Sequence, residues 1–102
     1  MKLTESQKKE IKSELVKCLR SEFEISKIIV FGSFLTSKSP EDLDVAVFLN
    51  STENYYSLVP RLRSKIRHII SKIPVDLIPV QENIAESFFL SEINAGELIY
   101  ER

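Results

Sequence analysis

Two short apolar runs lie close together: Lys27-Ile28-Ile29-Val30-Phe31, stopped by Gly32, and Leu43 to Leu49. Only nine residues, Ser33 to Glu41, lead from the first to Asp42. A parallel crossover generally takes about a dozen residues or more, so the two runs are expected to pair as antiparallel strands. The Gly32-Ser33 turn then lies beside Asp42-Leu43-Asp44. A third run, Val75-Asp76-Leu77-Ile78, closed by Pro79, follows a stretch long enough for a helix, which suits a right-handed parallel crossover. The second and third strands therefore start at one edge of the sheet, and Asp76 joins Asp42 and Asp44 there. Residues i and i+2 of a strand share a face, roughly 7 Å apart, so Asp42 and Asp44 are expected to point the same way.

Residue usage draws attention to the same edge. The chain has twelve glutamates but only three aspartates, Asp42, Asp44 and Asp76, each beside a β-like run. Aspartate is disfavoured in strands, so the placement has a cost that a site would explain.

The remaining segments read as helices. Thr4-Glu5-Ser6-Gln7 has the form of a capping box. Ile11, Leu15, Cys18 and Leu19 follow on one face, with Glu22-Phe23 as an extension, and Lys8, Lys9, Lys12, Glu14 and Lys17 on the other. Asn50-Ser51-Thr52 marks the next helix start. Pro60 suits a first turn, which puts the main helix near Ser57 after a looser turn holding Tyr55 and Tyr56. Leu58, Leu62, Ile66, Ile69, Ile70 and Ile73 form its stripe, and Pro74 ends it. Ile84, Phe88, Phe89 and Ile93 suggest a final helix stopped by Gly96 as its C′ residue. Leu98-Ile99-Tyr100 is a last extended piece. The expected fold is α/β (α+β), in the order α-β-β-α-β-α, with a small mixed sheet flanked by helices as one domain over residues 1–102.

Composition narrows the function. Leu, Ile, Val and Phe make up 36 of 102 residues, enough for a real core. The formal charge of −1 lacks the basic excess of a nucleic-acid coat, so nucleic acid is not expected as a direct ligand. The longest apolar run, Val45 to Leu49, is far below the ~18 residues of a spanning helix, and no signal segment opens the chain, so a cytoplasmic location away from membranes is expected. A single Cys18 excludes an internal disulfide and a zinc site built from cysteines.

Three carboxylates at one edge would repel one another, and no Lys or Arg lies within three residues of any of them. Clustered aspartate oxygens suit a hard divalent cation bound together with phosphate oxygens. Gly32 permits close approach by a phosphate, and Ser33 adds a hydroxyl donor. The set fits metal-assisted phosphoryl or nucleotidyl transfer.

These residues resemble the minimal nucleotidyltransferases of the DNA polymerase beta superfamily. The match lies in Val30-Phe31-Gly32-Ser33-Phe34, Glu41-Asp42-Leu43-Asp44-Val45 and Val75-Asp76-Leu77, and extends over roughly Ile28 to Tyr100. The resemblance implies that Asp42 and Asp44 hold two Mg²⁺ ions. Asp76 would complete one metal site and help activate an acceptor hydroxyl. Gly32 and Ser33 would grip the terminal phosphates of a nucleoside triphosphate, ATP by this resemblance. The hydroxyl would attack the α-phosphate in line, releasing pyrophosphate. The Gly-Ser to Asp-x-Asp loop departs from the common pattern: Phe34 to Glu41 is eight residues where many members have ten, and Leu35-Thr36-Ser37 stands where many carry Ala-Arg-Gly. Lys38 is the nearby basic side chain that would partly replace that arginine at the nucleotide.

Larger members add a domain that holds the acceptor, so here the resemblance implies an acceptor supplied by another protein. It suggests an antitoxin that AMPylates an all-helical HEPN-type toxin, with a homo-oligomer as another assembly. A non-catalytic module of the same fold, which neutralises a partner by binding, is the rival reading, and a small-molecule transferase is a third. Plainer roles stand beside these. Asp42 and Asp44 could cap turn amides, Ser33 could cap a helix, Lys38 could be a solvated turn lysine, Cys18 a buried thiol and His68 a boundary residue. The basic stretch Arg61 to Lys72 and the acidic residues of 81–102 are solvated faces or docking poles, and Phe88-Phe89-Leu90 is core or interface.

Overall fold

The computed structural model describes residues 2–50, 55–81, 91 and 93–102. Helix α1 spans Glu5–Leu19 and opens with the expected capping box. The Gln7 amide donates to Thr4 Oγ1 at 3.0 Å, and the Thr4 amide donates to Gln7 Oε1 at 2.8 Å. Strand β1 is Ile25–Phe31, followed at once by the single-turn helix α2, Ser33–Thr36. Strand β2 is Leu43–Leu49, helices α3 and α4 are Tyr55–Lys65 and Arg67–Ile70, and strands β3 and β4 are Val75–Gln81 and Glu97–Glu101.

The sheet is mixed, in the order β3-β2-β1-β4. β1 lies antiparallel to β2 and to β4, and β2 lies parallel to β3. The short β1–β2 connection and the helical β2–β3 connection thus have the consequences expected from their lengths. The C-terminal extended piece adds the fourth strand.

The two faces of the sheet are unequal. On one, Ile28, Val30, Leu43, Val45, Val47, Val75 and Leu77 pack with Ile11, Leu15 and Leu19 of α1 and with Leu58, Leu62 and Ile69 of α3 and α4. On the other, Ile29, Phe31, Ala46, Phe48 and Val80 form a smaller cluster with Ile93. Strand alternation produces both sets.

Several details differ from the pattern reading. Lys8 belongs to the buried face of α1, not the polar one, because it lies three residues before Ile11 and seven before Leu15. It is only 5% exposed, and its Nζ donates to the Ser37 carbonyl at 2.6 Å above the Phe34 ring. Phe23 lies beyond the helix end and is 79% exposed under the Arg102 guanidinium. Cys18 is half-buried; burial, then the Glu14 charge, holds its thiol above the ordinary value, with Lys65 opposing.

The long helix expected up to Pro74 is instead two, broken at Ile66, whose φ of −112° and ψ of 23° leave the helical region. α3 begins at Tyr55, so Pro60 lies inside it and not in its first turn, which removes one interior hydrogen bond. Pro79 does not close β3, which continues to Gln81. The Leu43 amide bonds the Pro74 carbonyl, so the even residues of β3 present their backbone to β2. The nitrogen of Pro79 therefore faces the open edge, where no ladder bond is lost.

Gly96 is not a left-handed cap, since Gly32 is the one glycine with positive φ. A side chain at Gly96 would collide with the Val30 carbonyl, Phe31 Cβ and Ile29 Cγ2, so glycine is needed there for close approach to β1. The expected helix start at Ser51-Thr52 and the final-helix positions Ile84, Phe88 and Phe89, with Leu90, lie outside the described residues.

Much of the basic stretch is used internally. Arg61 Nε and Lys65 Nζ meet Glu22 Oε1 at 3.0 and 3.1 Å, and Arg63 donates to the Val75 carbonyl at 2.8 Å. Burial pushes the Glu22 carboxyl up, but the bonds from Lys65 and Arg61 outweigh it and leave the group below its ordinary value. A lowered carboxylate adds stability that is complete above the unfolded-state value and is lost as pH falls through the folded-state value. Glu22→Gln is expected to cost about 1 kcal/mol at neutral pH in denaturant unfolding, with the difference from wild type vanishing in acid.

Candidate functional site

The ladder between β2 and β3 changes character along its length. Phe48 faces Val80, Ala46 faces Ile78, and Asp44 faces Asp76 as Cα partners in register. All six residues alternate onto the same face of the sheet, so the apolar pairs give way to a pair of carboxylates at its edge. Neighbouring strands stand about 4.8 Å apart, which makes this a close approach of like charges. Asp42 is exposed just before β2, and Asp76 is exposed on the edge strand. Leu43, between the two β2-side aspartates, is fully buried and anchors them.

β1 supplies the third side. Phe31 is the register partner of Asp44, so the chain leaves the sheet at Gly32 directly beside the Asp44 carboxylate. Gly32 has φ 79° and ψ −156°, a conformation open essentially to glycine alone. A Cβ there would stand 2.6 Å from Asp44 Oδ2. This backbone is therefore shaped around that carboxylate.

Ser33 opens α2, whose first amides have no partner carbonyl within the helix. Phe34 is fully buried and holds the turn in the core. Lys8, which the sequence pattern placed on the solvent face, secures the far end of the turn through the Ser37 carbonyl. Its signal was the spacing to Ile11 and Leu15.

Burial, followed by the charges of Asp42 and Asp76, raises the Asp44 carboxyl above its ordinary value. Among the described residues, no lysine or arginine forms an ion pair with any of the three aspartates. A cluster of oxygen donors with unbalanced negative charge, beside a backbone pressed close by glycine, fits a divalent cation carrying phosphate oxygens. Lys38 is placed differently. Its carbonyl accepts from the Leu3 amide, and it lines a groove with Lys2, Leu3, Thr4 and Glu5 at the start of α1. The structure thus brings Gly32, Asp44 and Asp76 together, with Ser33 and Asp42 adjoining, and sets Lys38 against the N-terminal residues.

The sequence model described as Polymerase beta, Nucleotidyltransferase matches residues 13–102, and the chain belongs to that family. No curated protein sequence matches it. Among solved structures, it is similar to a chain in that of tri-AMPylated Shewanella oneidensis HEPN toxin in complex with MNT antitoxin. The two are 21% identical, with 93% of this chain and 73% of the other covered and a TM-score of 0.61. It is also similar to a toxin-antitoxin structure with AMP-PNP, at 21% identity, 89% and 73% coverage and a TM-score of 0.63. The toxin-antitoxin MntA-HepT gives 17% identity, 92% and 73% coverage and a TM-score of 0.59. At these identities the likeness establishes a shared fold.

Two substitutions probe the geometry. Gly32→Ala is expected to lose about 2 kcal/mol in denaturant unfolding, from its backbone conformation and its collision with Asp44. With chelator present, Asp44→Asn is expected to raise the melting temperature by a few degrees, because it relieves repulsion that only a ligand offsets.

Proposed function

We propose that this nucleotidyltransferase-family chain transfers the AMP moiety of ATP to a hydroxyl on a partner protein, in a Mg²⁺-dependent reaction, as the antitoxin of a toxin-antitoxin pair. The observation that carries the reading is the in-register pairing of Asp44 with Asp76, with Gly32 pressed against it. Asp42, Asp44 and Asp76 hold two Mg²⁺ ions and serve as the catalytic carboxylates. When bound, the metal supplies positive charge against the phosphates and the oxygens on which charge develops.

Gly32 lets the chain approach the terminal phosphates of ATP, and Ser33 donates its hydroxyl to them. Asp76, exposed on the edge strand, faces the acceptor and draws the proton from its hydroxyl. A bond forms between that oxygen and the α-phosphorus as the bond to the pyrophosphate oxygen breaks. Lys38, whose backbone is tied to Leu3, adds a positive charge for the nucleotide phosphates.

The acceptor is a helical HEPN-type toxin, in keeping with the toxin-antitoxin complexes whose fold this chain shares. The reaction is placed in the cytoplasm, together with that partner. One feature favours a second reading, a binding module without turnover: the short loop after Gly32 is fastened down by Lys8 at Ser37 and by Leu3 at Lys38.

Label transfer and calorimetry together separate the two readings. The chain, Mg²⁺, ATP labelled on its α-phosphate and the helical protein encoded beside it are incubated together. Label is expected to enter the partner and to disappear with Asp42→Asn. Formation of the complex without label transfer, together with no calorimetric binding of Mg²⁺–ATP, would establish the module instead.

A further inference from the structure

Away from the aspartates, α1 and α4 bring three different ligand types to one point. Glu14 and Cys18 are four residues apart on α1 and so share a face. His68 stands opposite them on α4. Its Nε2 lies 3.3 Å from Glu14 Oε2 and 3.8 Å from Cys18 Sγ, and the three ligand atoms all fall within 4.8 Å of one another.

Both contacts fall on the same ring nitrogen. In a nucleophilic triad, the thiol and the orienting carboxylate would occupy opposite nitrogens of the ring. Convergence on one nitrogen is instead what a shared central ion produces. Tetrahedral angles with Zn–S of about 2.3 Å and Zn–N and Zn–O of about 2.0 Å place S and N about 3.5 Å apart, and N and O about 3.3 Å apart. The two separations from His68 are within a few tenths of an ångström of these values, and the Cys18–Glu14 pair, inside the 4.8 Å limit of the cluster, closes by side-chain rotation on binding.

The backbone beneath the cluster is anchored in the core. Leu15 and Leu19 flank Cys18 in the core, and Ile69, next to His68, is 1% exposed. Lys65, a nearby cation, has partners of its own: its Nζ donates to Ser21 Oγ at 3.1 Å and pairs with Glu22. The side chains of His68 and Glu14 are 49% and 36% exposed, so an ion could enter from solvent and keep one position open there.

We propose that Glu14, Cys18 and His68 form a Zn²⁺ site with three protein ligands and a fourth position facing solvent. A mixed sulfur, nitrogen and oxygen set suits zinc and is unlike the all-oxygen set of the aspartate edge. On binding, the Cys18 thiol releases its proton to the buffer and a metal–sulfur bond forms. The ion then clamps α4 to α1, on the helical side of the sheet and independently of nucleotide chemistry.

The test uses Co²⁺ as the probe, titrated into the reduced chain of residues 1–102 carrying Asp44→Asn, so that the aspartate edge contributes little. One equivalent is expected to give a thiolate-to-cobalt charge-transfer band with tetrahedral visible absorption, and Zn²⁺ is expected to displace it. His68→Gln and Glu14→Gln, both surface changes checked for folding by circular dichroism, are each expected to weaken binding about tenfold or more. Absence of the charge-transfer band overturns the proposal. So does a band whose affinity is unchanged in both variants, since that would report a bare thiol.

Discussion

The parallel register of β2 with β3 is the constraint on which the rest of the site depends. It sets Asp44 opposite Asp76, and the antiparallel register of β1 sets Phe31 opposite Asp44. Side chains alternate across a sheet, so a slip of one residue in either pairing would send a carboxylate into the helical core. The core resists that slip. Leu43, Val45 and Val47 are fully buried on one face, and Ala46 and Phe48 are buried on the other. Apolar packing along β2 therefore holds two like charges together at its end.

That arrangement is costly for the protein alone. The Asp44 carboxyl is raised by burial and by its two neighbours, and Gly32 takes up a backbone conformation that other residues avoid. Both features are found where the backbone passes closest to the carboxylate. Strain and unbalanced charge at one place are characteristic of a ligand site, where binding offsets what folding does not. The turn after Gly32 is held from outside the site, by Phe34 in the core and by Lys8 at the Ser37 carbonyl.

The opposite side of the sheet is tied together by polar contacts as well as by the core. Glu22 gathers Arg61 and Lys65, Lys12 meets Glu97 at 2.9 Å, and His68 meets Glu14. These contacts fasten the turn after α1 to α3, and α1 itself to β4 and α4. Among the described residues, Arg61 and Lys65 of the basic stretch and Glu97 of the C-terminal segment are therefore engaged within the fold.

The succession of α1, β1, β2, a helical connection and β3, the antiparallel and parallel pairings and the acidic edge followed from the sequence by itself, whereas the single turn α2 did not. Connection length limits which strands can be neighbours, and strand periodicity decides which residues share a face. The partnership of Gly32 with Asp44 was only partly legible: its residues could be named, but their contact depends on a register that no local pattern specifies. Burial of Lys8, the break at Ile66, the course of β3 through Pro79 and the role of Gly96 were decided by the tertiary structure. In each case a neighbour distant in sequence overrides a local preference. The Ser37 carbonyl satisfies a buried ammonium, an open sheet edge spares Pro79 a hydrogen bond, and the backbone of β1 leaves no room for a side chain at position 96. The meeting of Glu14 and Cys18 with His68 is of the same kind, since fifty residues separate the two cluster members Cys18 and His68 and only the packing of α4 on α1 brings them together.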